Sequence, residues 1–347
     1  MNVTTLAENG FLPDRLIRFG IRRQLAARMR QECLRGESRR RTDEIVQFLR
    51  GSPLALATDQ ANEQHYEVPA EFFEAVLGPR LKYSCCLYSD WRTTLSEAEE
   101  SMLRLTCQRA EVVDGMDVLD LGCGWGSLAL WIAEHYPRCR VTALSNSRGQ
   151  RQFIQSRAAA KGLCNLEVIT ANVVGFADAG VFDRVVSVEM FEHMRNYEML
   201  LARIAGWLRP AGKLFVHIFC HRETAYTFEM KGADDWIARH FFTAGLMPSF
   251  DLLGHFSRDL VVRRRWQVDG RHYARTCEHW LGNLDARRAN VLSMFCRRSE
   301  RNNAKVLVQR WRMFFMACAE LFRFGGGKEW FVGHYLLEPR NDASGSE

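Results

Sequence analysis

The chain has 347 residues, 47% of them hydrophobic and 25% charged, a mixture that folds around a core and is far from the polar composition of a disordered chain. At about 150 residues per domain the length predicts two domains, or one α/β core enlarged by helical additions. Forty-seven Lys plus Arg against 41 Asp plus Glu leave a net charge of +6, which permits attraction to an acidic surface but is too mild for a dedicated nucleic-acid binder.

The N-terminal stretch MNVTTLAENGFLPDRLIRFG carries acids and no apolar core, so no secretory signal is expected. Residues 1–60 read as helical and basic, densest at Arg39-Arg40-Arg41. A solvated helix face accounts for these charges, with contact to anionic lipid or a partner as the alternative. Ile17, Leu25 and Leu34 are too widely spread to predict a strong apolar stripe. Further on, Phe72, Phe73, Val76 and Leu77 share one helical face, and Gly78-Pro79 ends that helix because proline blocks its continuation. The segment Leu81–Tyr88 then reads as a loop.

From about residue 95 short β-rich runs alternate with helical ones. Strands are predicted at 116–121, 140–144, 165–170, 183–189 and 212–218, with helices near 97–110, 127–136, 148–162 and 196–208. Such alternation predicts a parallel sheet with helices on both faces and a ligand outside the carboxyl ends of its strands. Beyond 218 the rhythm breaks: 234–247 reads as helix, 259–267 as strand, 271–297 and 302–323 as helices, and 328–337 as a last strand after Gly325-Gly326-Gly327. The tail NDASGSE reads as disordered. No run reaches the roughly 18 apolar residues of a membrane span. The eleven cysteines form no C-x-x-C pair, which predicts reduced thiols and a cytoplasmic protein.

The sharpest motif is Val118-Leu119-Asp120-Leu121-Gly122-Cys123-Gly124-Trp125-Gly126. An apolar strand runs into three alternating glycines and then a helix, and glycine lets a ligand approach the main chain closely. A phosphate-binding P-loop needs Gly-Lys-Ser/Thr, which is absent. A dinucleotide fingerprint needs its third glycine at 127, where the chain has Ser. The pattern D-x-G-x-G-x-G at a strand end resembles the first motif of the S-adenosylmethionine (SAM) methyltransferases. SAM carries an ammonium, a carboxylate and a sulfonium, and Asp120 can anchor its cationic end. The second strand ends in Ser145 and Asn146, with Gln150 beyond, neutral groups able to hydrogen-bond a ribose. Asn172 follows the third strand and can accept from the adenine amine. Each of these four also has a reading as an ordinary loop residue.

Further stretches resemble one superfamily, that of cyclopropane fatty acid synthase: Tyr83-Ser84-Cys85-Cys86, Leu144–Gln150, and Val188-Glu189-Met190-Phe191-Glu192-His193-Met194. The match continues through Phe215-Val216-His217, Asp235-Trp236-Ile237, Phe241-Phe242-x-x-Gly245-x-Met247-Pro248-Ser249 and His272-Tyr273-Ala274-x-Thr276 with Trp280. It runs from about residue 65 to 337. Within the superfamily the chain is most similar to the coclaurine-type N-methyltransferases, which show YSCC, VEMFEHM, FVHxxCH and DDWI in these places. The resemblance implies a Rossmann-like class I SAM methyltransferase with a mostly parallel seven-stranded sheet and helices on both faces. It implies a helical extension over 1–64, a methyltransferase domain over 65–337 with a helical acceptor cap around 220–325, and a disordered tail over 338–347. It places Tyr83 and Ser84 at the amino-acid end of SAM, the glycines 122, 124 and 126 beneath it, and Glu192 and His193 at the methyl acceptor. Cyclopropane synthases hold a bicarbonate through a cysteine, a glutamate, a histidine and a tyrosine. The first three map to Cys85, Glu192 and His217, but no tyrosine lies in Trp311–Met316 before Ala317-Cys318-Ala319. A buried anion needs its hydrogen bonds, so the missing hydroxyl favours amine methylation.

Methyl transfer from a sulfonium is an in-line displacement that needs alignment and an unprotonated acceptor. Glu192 is the expected anchor and base and His193 the expected relay, since an imidazole titrates near neutrality. The bland alternative has Glu192 capping the next helix and His193 packed structurally. Glu189 is expected to touch substrate or SAM or to orient the Glu192 loop, with a purely structural role as the equal alternative. His217, Asp235 and Trp236 are expected to line the acceptor pocket, an aromatic face suiting a cation, with core packing as the equal alternative for Trp236. Phe241, Phe242, Met316, Phe322 and Trp330 wall that pocket or simply belong to the core. His217, Cys220 and His221 lack a fourth ligand nearby for zinc, so no metal is expected. SAM is the expected cofactor, S-adenosylhomocysteine (SAH) its product, and a small-molecule amine the expected partner, with no nucleic acid. The competing functions are modification of unsaturated acyl chains at a membrane surface and non-catalytic SAM binding.

Overall fold

The computed structural model describes residues 2–34, 38–55, 68–176, 180–228, 236–243 and 245–340. The chain divides into two compact units, one formed by residues 1–37, 68–101 and 269–331, the other by 38–67, 102–268 and 332–347.

The first unit is helical. Its long helices are Asp14–Leu34, Gly270–Ala286 and Arg301–Arg323, with shorter ones at Val3–Glu8, Ala70–Val76 and Arg288–Cys296. The expected helix over 271–297 is therefore two, broken at Arg287, whose φ of −109° leaves the helical region. Apolar spacing on the helices brings Phe72, Trp280, Trp311 and Phe315 into one buried aromatic cluster. Arg312 ties three helices together by donating to both carboxylate oxygens of Asp14 and of Asp285, the bidentate geometry that makes such pairs strong.

The second unit holds a seven-stranded sheet. Its strands are β1 (Asp117–Leu121), β2 (Arg140–Ser145), β3 (Leu166–Thr170), β4 (Phe182–Val188), β5 (Leu208–His221), β8 (Leu260–Val268) and β9 (Trp330–Pro339), and a separate two-stranded ribbon pairs β6 (Tyr226–Thr227) with β7 (Leu246–Met247). The sheet order is β3-β2-β1-β4-β5-β9-β8. Strands β1 to β5 pair in parallel, and β8 and β9 are antiparallel to each other. Successive residues alternate between two cores: Leu119, Val185, Leu214 and Val216 enter one, and Val118, Val186 and Phe215 the other. A sheet covered on both faces explains why these strands are apolar almost throughout. The expected helix over 234–247 is only Trp236–His240 among the described residues, because 246–247 pair with β6.

The chain leaves β1 on one side for β2 and β3 and returns for β4 on the other. The carboxyl ends of β1 and β4 thus flank a switch point of the kind at which doubly wound sheets bind ligands.

Candidate active site

The loop after β1 is built on glycine for three different reasons. All three glycines have positive φ: Gly122 at 84°, Gly124 at 52° and Gly126 at 79°. A Cβ on Gly122 would meet Met190 Cγ at 2.7 Å, and one on Gly126 would meet Ile154 Cγ1 at 2.6 Å, while one on Gly124 would face open space. Two glycines are therefore fixed by packing, and the third leaves bare main chain for a guest. Asp120, 2% exposed, stands just before the loop, and its Oδ2 accepts no hydrogen bond. Burial raises its carboxyl to about 7, an effect partly offset by the Ala129 N–H. An ionised carboxylate placed there calls for a cation.

At the end of β2, Ser145 Oγ donates to Gln150 Oε1 at 2.7 Å. This fixes the Gln150 amide, whose buried Nε2 has no hydrogen-bond partner. Asn146 is exposed. Asn172 turns its Oδ1 to the N–H of Val174 at 2.9 Å, which leaves one lone pair on that oxygen for an adenine amine.

At the end of β4 the register sets Val188 beside His217 on β5. Glu189 follows with φ +49°, a left-handed conformation uncommon outside glycine. Its N–H donates to the His217 carbonyl at 2.8 Å. A single 3-10 turn, Phe191–His193, then carries Glu192 inward to 2% exposure. Burial pushes the Glu192 carboxyl well above the ordinary carboxylate range, and the neighbouring Glu189 charge pushes it further. Its Oε2 has no hydrogen-bond partner. The following helix, Tyr197–Trp207, is capped by Asn196, which accepts from the Met199 N–H; Glu192 is not its cap.

Two features here were not read from the sequence. Asn196 also donates from Nδ2 to the carbonyls of Arg50 and Ser52, and the Arg195 N–H donates to Leu54, so residues 50–54 strap the Glu192 segment. Beside the His193 ring lies Phe242 at 5.0 Å, itself 5.6 Å from Phe219 and 5.0 Å from Phe228. Of those three phenylalanines the sequence pointed only to Phe242. Phe219, near the end of an apolar strand, carried a signal in its position.

Trp236 packs locally, its ring 5.4 Å from His240 and 5.5 Å from Phe241. Asp235 lies outside the described residues. His221 Nδ1 accepts the N–H groups of Glu223 and Thr224, a turn-closing role. Among the described residues no group of three or more His, Cys, Asp or Glu is arranged to hold a metal ion.

Tyr83 and Ser84 belong to the other unit. The Tyr83 ring packs 5.1 Å from Phe73 and 5.4 Å from Trp280. Their loop is organised by Glu99, fully buried, whose carboxylate accepts the N–H groups of Gly78, Arg80 and Lys82 at 3.1, 2.9 and 3.1 Å. Lys82 in turn donates to Ser84 Oγ and to the Cys85 carbonyl. Met316, Phe322 and Trp330 are buried in this same unit, and Phe322 stacks on Tyr273 at 4.3 Å.

A sheet of this order, with a glycine cradle after β1 and an unsatisfied carboxylate behind it, defines a class I SAM-dependent methyltransferase. The chain belongs to the mycolic acid cyclopropane synthetase family, whose sequence profile matches residues 56–328. It is 38% identical over 339 residues to the (S)-coclaurine N-methyltransferase of Thalictrum flavum subsp. glaucum, covering 96% of this chain and 94% of that protein. A crystal structure of coclaurine N-methyltransferase bound to N-methylheliamine and SAH superimposes with a TM-score of 0.92 at 37% identity, covering 96% of this chain and 98% of that one. The cyclopropane synthase MmaA2 from Mycobacterium tuberculosis shares the fold, with a TM-score of 0.71 at 24% identity over 83% of this chain and 100% of that one. The residues fit SAM: Asp120 Oδ2 and Gln150 Nε2 are buried polar atoms that lack partners, and Gly124 offers open main chain.

Proposed function

We propose that this protein transfers a methyl group from SAM to the nitrogen of a small-molecule amine, leaving SAH. The observation that carries the reading is Glu192, a buried carboxyl with a free oxygen one short turn from Glu189. Two acidic groups so close are poorly matched to a neutral or anionic acceptor and well matched to an ammonium.

When bound, SAM supplies an electrophilic methyl group on a sulfonium, a good leaving group. The chain supplies the rest. Asp120 would hold the ammonium of the cofactor, the bare main chain at Gly124 would admit it, and Ser145 and Gln150 would take the nucleoside. We assign Tyr83 and Ser84 to the amino-acid end, and Asn146 and Asn172 to the ribose and adenine. Glu192 takes the proton from the acceptor nitrogen, its raised basicity making it a better base than an ordinary carboxylate. His193 passes that proton on, and Glu189 holds the developing charge. Phe219, Phe228 and Phe242 offer ring faces to an aromatic or apolar amine. His217 and Trp236 line the same acceptor region in this reading, as does Asp235. The helix Arg301–Arg323 has no tyrosine, which supports amine chemistry over a bicarbonate-dependent reaction on acyl chains.

In the same reading residues 65–337 form the methyltransferase domain, those around 220–325 select the acceptor, and 1–64 are an extension. Ten described cysteines carry free thiols, which supports a reducing compartment such as the cytoplasm, and no nucleic-acid partner is assigned. No helix among the described residues is long and apolar enough to cross a membrane.

Methyl-labelled SAM, incubated with the protein and separate pools of amines (heliamine included) and unsaturated phospholipid vesicles, tests the reading. Label is expected in the amines. Label confined to the acyl chains, or no turnover of SAM in any pool, would overturn it.

A further inference from the structure

Behind Glu189 runs a line of three side chains, two of which, Arg109 and His334, the proposed chemistry does not use. Arg109 closes the helix Leu95–Arg109, and His334 and His217 face each other from the neighbouring strands β9 and β5. Arg109 Nη1 lies 2.9 Å from His334 Nδ1, His334 Nε2 lies 2.8 Å from His217 Nδ1, and His217 Nε2 faces Glu189 Oε1 at 3.4 Å. Both imidazoles are fully buried. The guanidinium rests 5.0 Å from the centre of the Trp266 ring and forms no ion pair with a described carboxylate.

The polarity of this line is fixed from one end. A guanidinium has five donors and no acceptor, so His334 Nδ1 must accept. Neutral His334 then carries its proton on Nε2 and donates it to His217 Nδ1. His217 must therefore carry its own proton on Nε2, directed at Glu189. Protonating either ring would set N–H against N–H, with His334 opposing the guanidinium or His217 opposing His334. The line thus keeps both rings neutral, with His217 accepting at Nδ1 and carrying its one proton on the Nε2 that faces Glu189.

We propose that Arg109 and His334 are positioning residues for methyl transfer: through His217, whose Nε2 proton they direct toward Glu189 Oε1 3.4 Å away, they favour Glu189 as the charged member of the acidic pair, so that the proton exchanged with the acceptor resides on Glu192. This inference rests on the amine-methyltransferase reading. Neither Arg109 nor His334 touches substrate in it. Each acts through the tautomer of the next group, as the second partner of a catalytic histidine does elsewhere.

The test uses the full chain labelled with ¹⁵N-histidine. Long-range proton–nitrogen spectra of the wild type are expected to show His217 and His334 both neutral and both protonated on Nε2. Arg109→Leu removes the fixed donor, and a mixture of tautomers is expected at His334. With labelled SAM and heliamine, Arg109→Leu and His334→Phe are each expected to lower kcat/KM about tenfold or more, while the calorimetric Kd for SAM changes less than about twofold. His334→Gln, whose amide can both accept from Arg109 and donate to His217, is expected to restore most of what His334→Phe loses. Should His334→Phe fail to fold, Arg109→Leu carries the test alone, since its side chain is only half-buried. A wild-type His334 protonated on Nδ1, or variants with unchanged tautomers and unchanged kcat/KM, would overturn the proposal. The spectra need no acceptor, so the absence of amine methylation would sink the functional reading and be distinguishable from a failure here.

Discussion

Glu189 lies two residues before the short 3-10 turn that carries Glu192, and its charge, after burial, raises the pKa of Glu192. A like-charged neighbour within reach makes ionisation costly. An incoming ammonium reverses that cost, so the pair is poised to change its protonation when the acceptor binds.

Glu192→Gln keeps the shape of the side chain and removes the base. We expect kcat to fall by about 10²- to 10⁴-fold, the range for removing a general base, with SAM affinity by calorimetry near wild type. Turnover within threefold of wild type would mean another group takes the proton.

Glu189→Gln removes the like charge beside Glu192. With Glu192 acting as base, activity requires its carboxylate form and falls as pH drops through its raised pKa. Without the Glu189 charge that pKa descends, so the acid limb of the kcat/KM profile should move to lower pH. A limb that stays in place would separate Glu192 from the observed titration.

Asp120 predicts how SAM binding depends on pH. Its carboxyl is held at about 7, so below that pH a cation must displace a proton in order to bind. Affinity should weaken as pH falls from about 7, by up to tenfold per unit, and calorimetry in buffers of different ionisation enthalpy should register proton release. The folded state keeps a proton that the unfolded chain loses near pH 4. Asp120 therefore contributes stability that is fully present below that value and is lost as pH rises through about 7. Asp120→Asn should flatten both profiles.

Two glycines of the same loop should respond oppositely to valine. Gly126→Val combines a positive φ, worth about 1–2 kcal/mol, with a collision against Ile154 that adds about 1–3 kcal/mol, so the thermal midpoint should fall markedly. Gly124→Val carries the strain but meets open space, so the midpoint should fall only modestly while SAM binding is lost. Retained calorimetric binding in Gly124→Val would move the cofactor elsewhere.

Much of this was legible in the chain. Apolar runs of strand length alternating with amphipathic helices gave β1 to β5 within a few residues of their ends, because strands buried on both faces must be apolar throughout. The place of the glycine loop and Asp120 at the end of β1, and of Glu189 to His193 after β4, was legible because each depends on residues close in sequence: a turn, a strand end, a short spacing. The short strand at Leu246–Met247 was misread as helix, since its pairing with Tyr226 and Thr227 lies some twenty residues away and leaves no local trace. His334, within the apolar run WFVGHYLL, carried one hint, for a histidine on a fully buried strand needs a partner.

The sequence by itself determined which residues lie at strand ends and which chemistry their side chains hold ready. Tertiary structure alone decided that His217 meets His334 across β5 and β9, that Arg109 reaches that pair from a helix 225 residues away from His334 in the chain, and that Glu192 is buried with its Oε2 lacking a hydrogen-bond partner. Proton location follows from such encounters, because a hydrogen bond between buried groups takes its direction from donors and acceptors that the fold, and not the local sequence, brings within three ångströms.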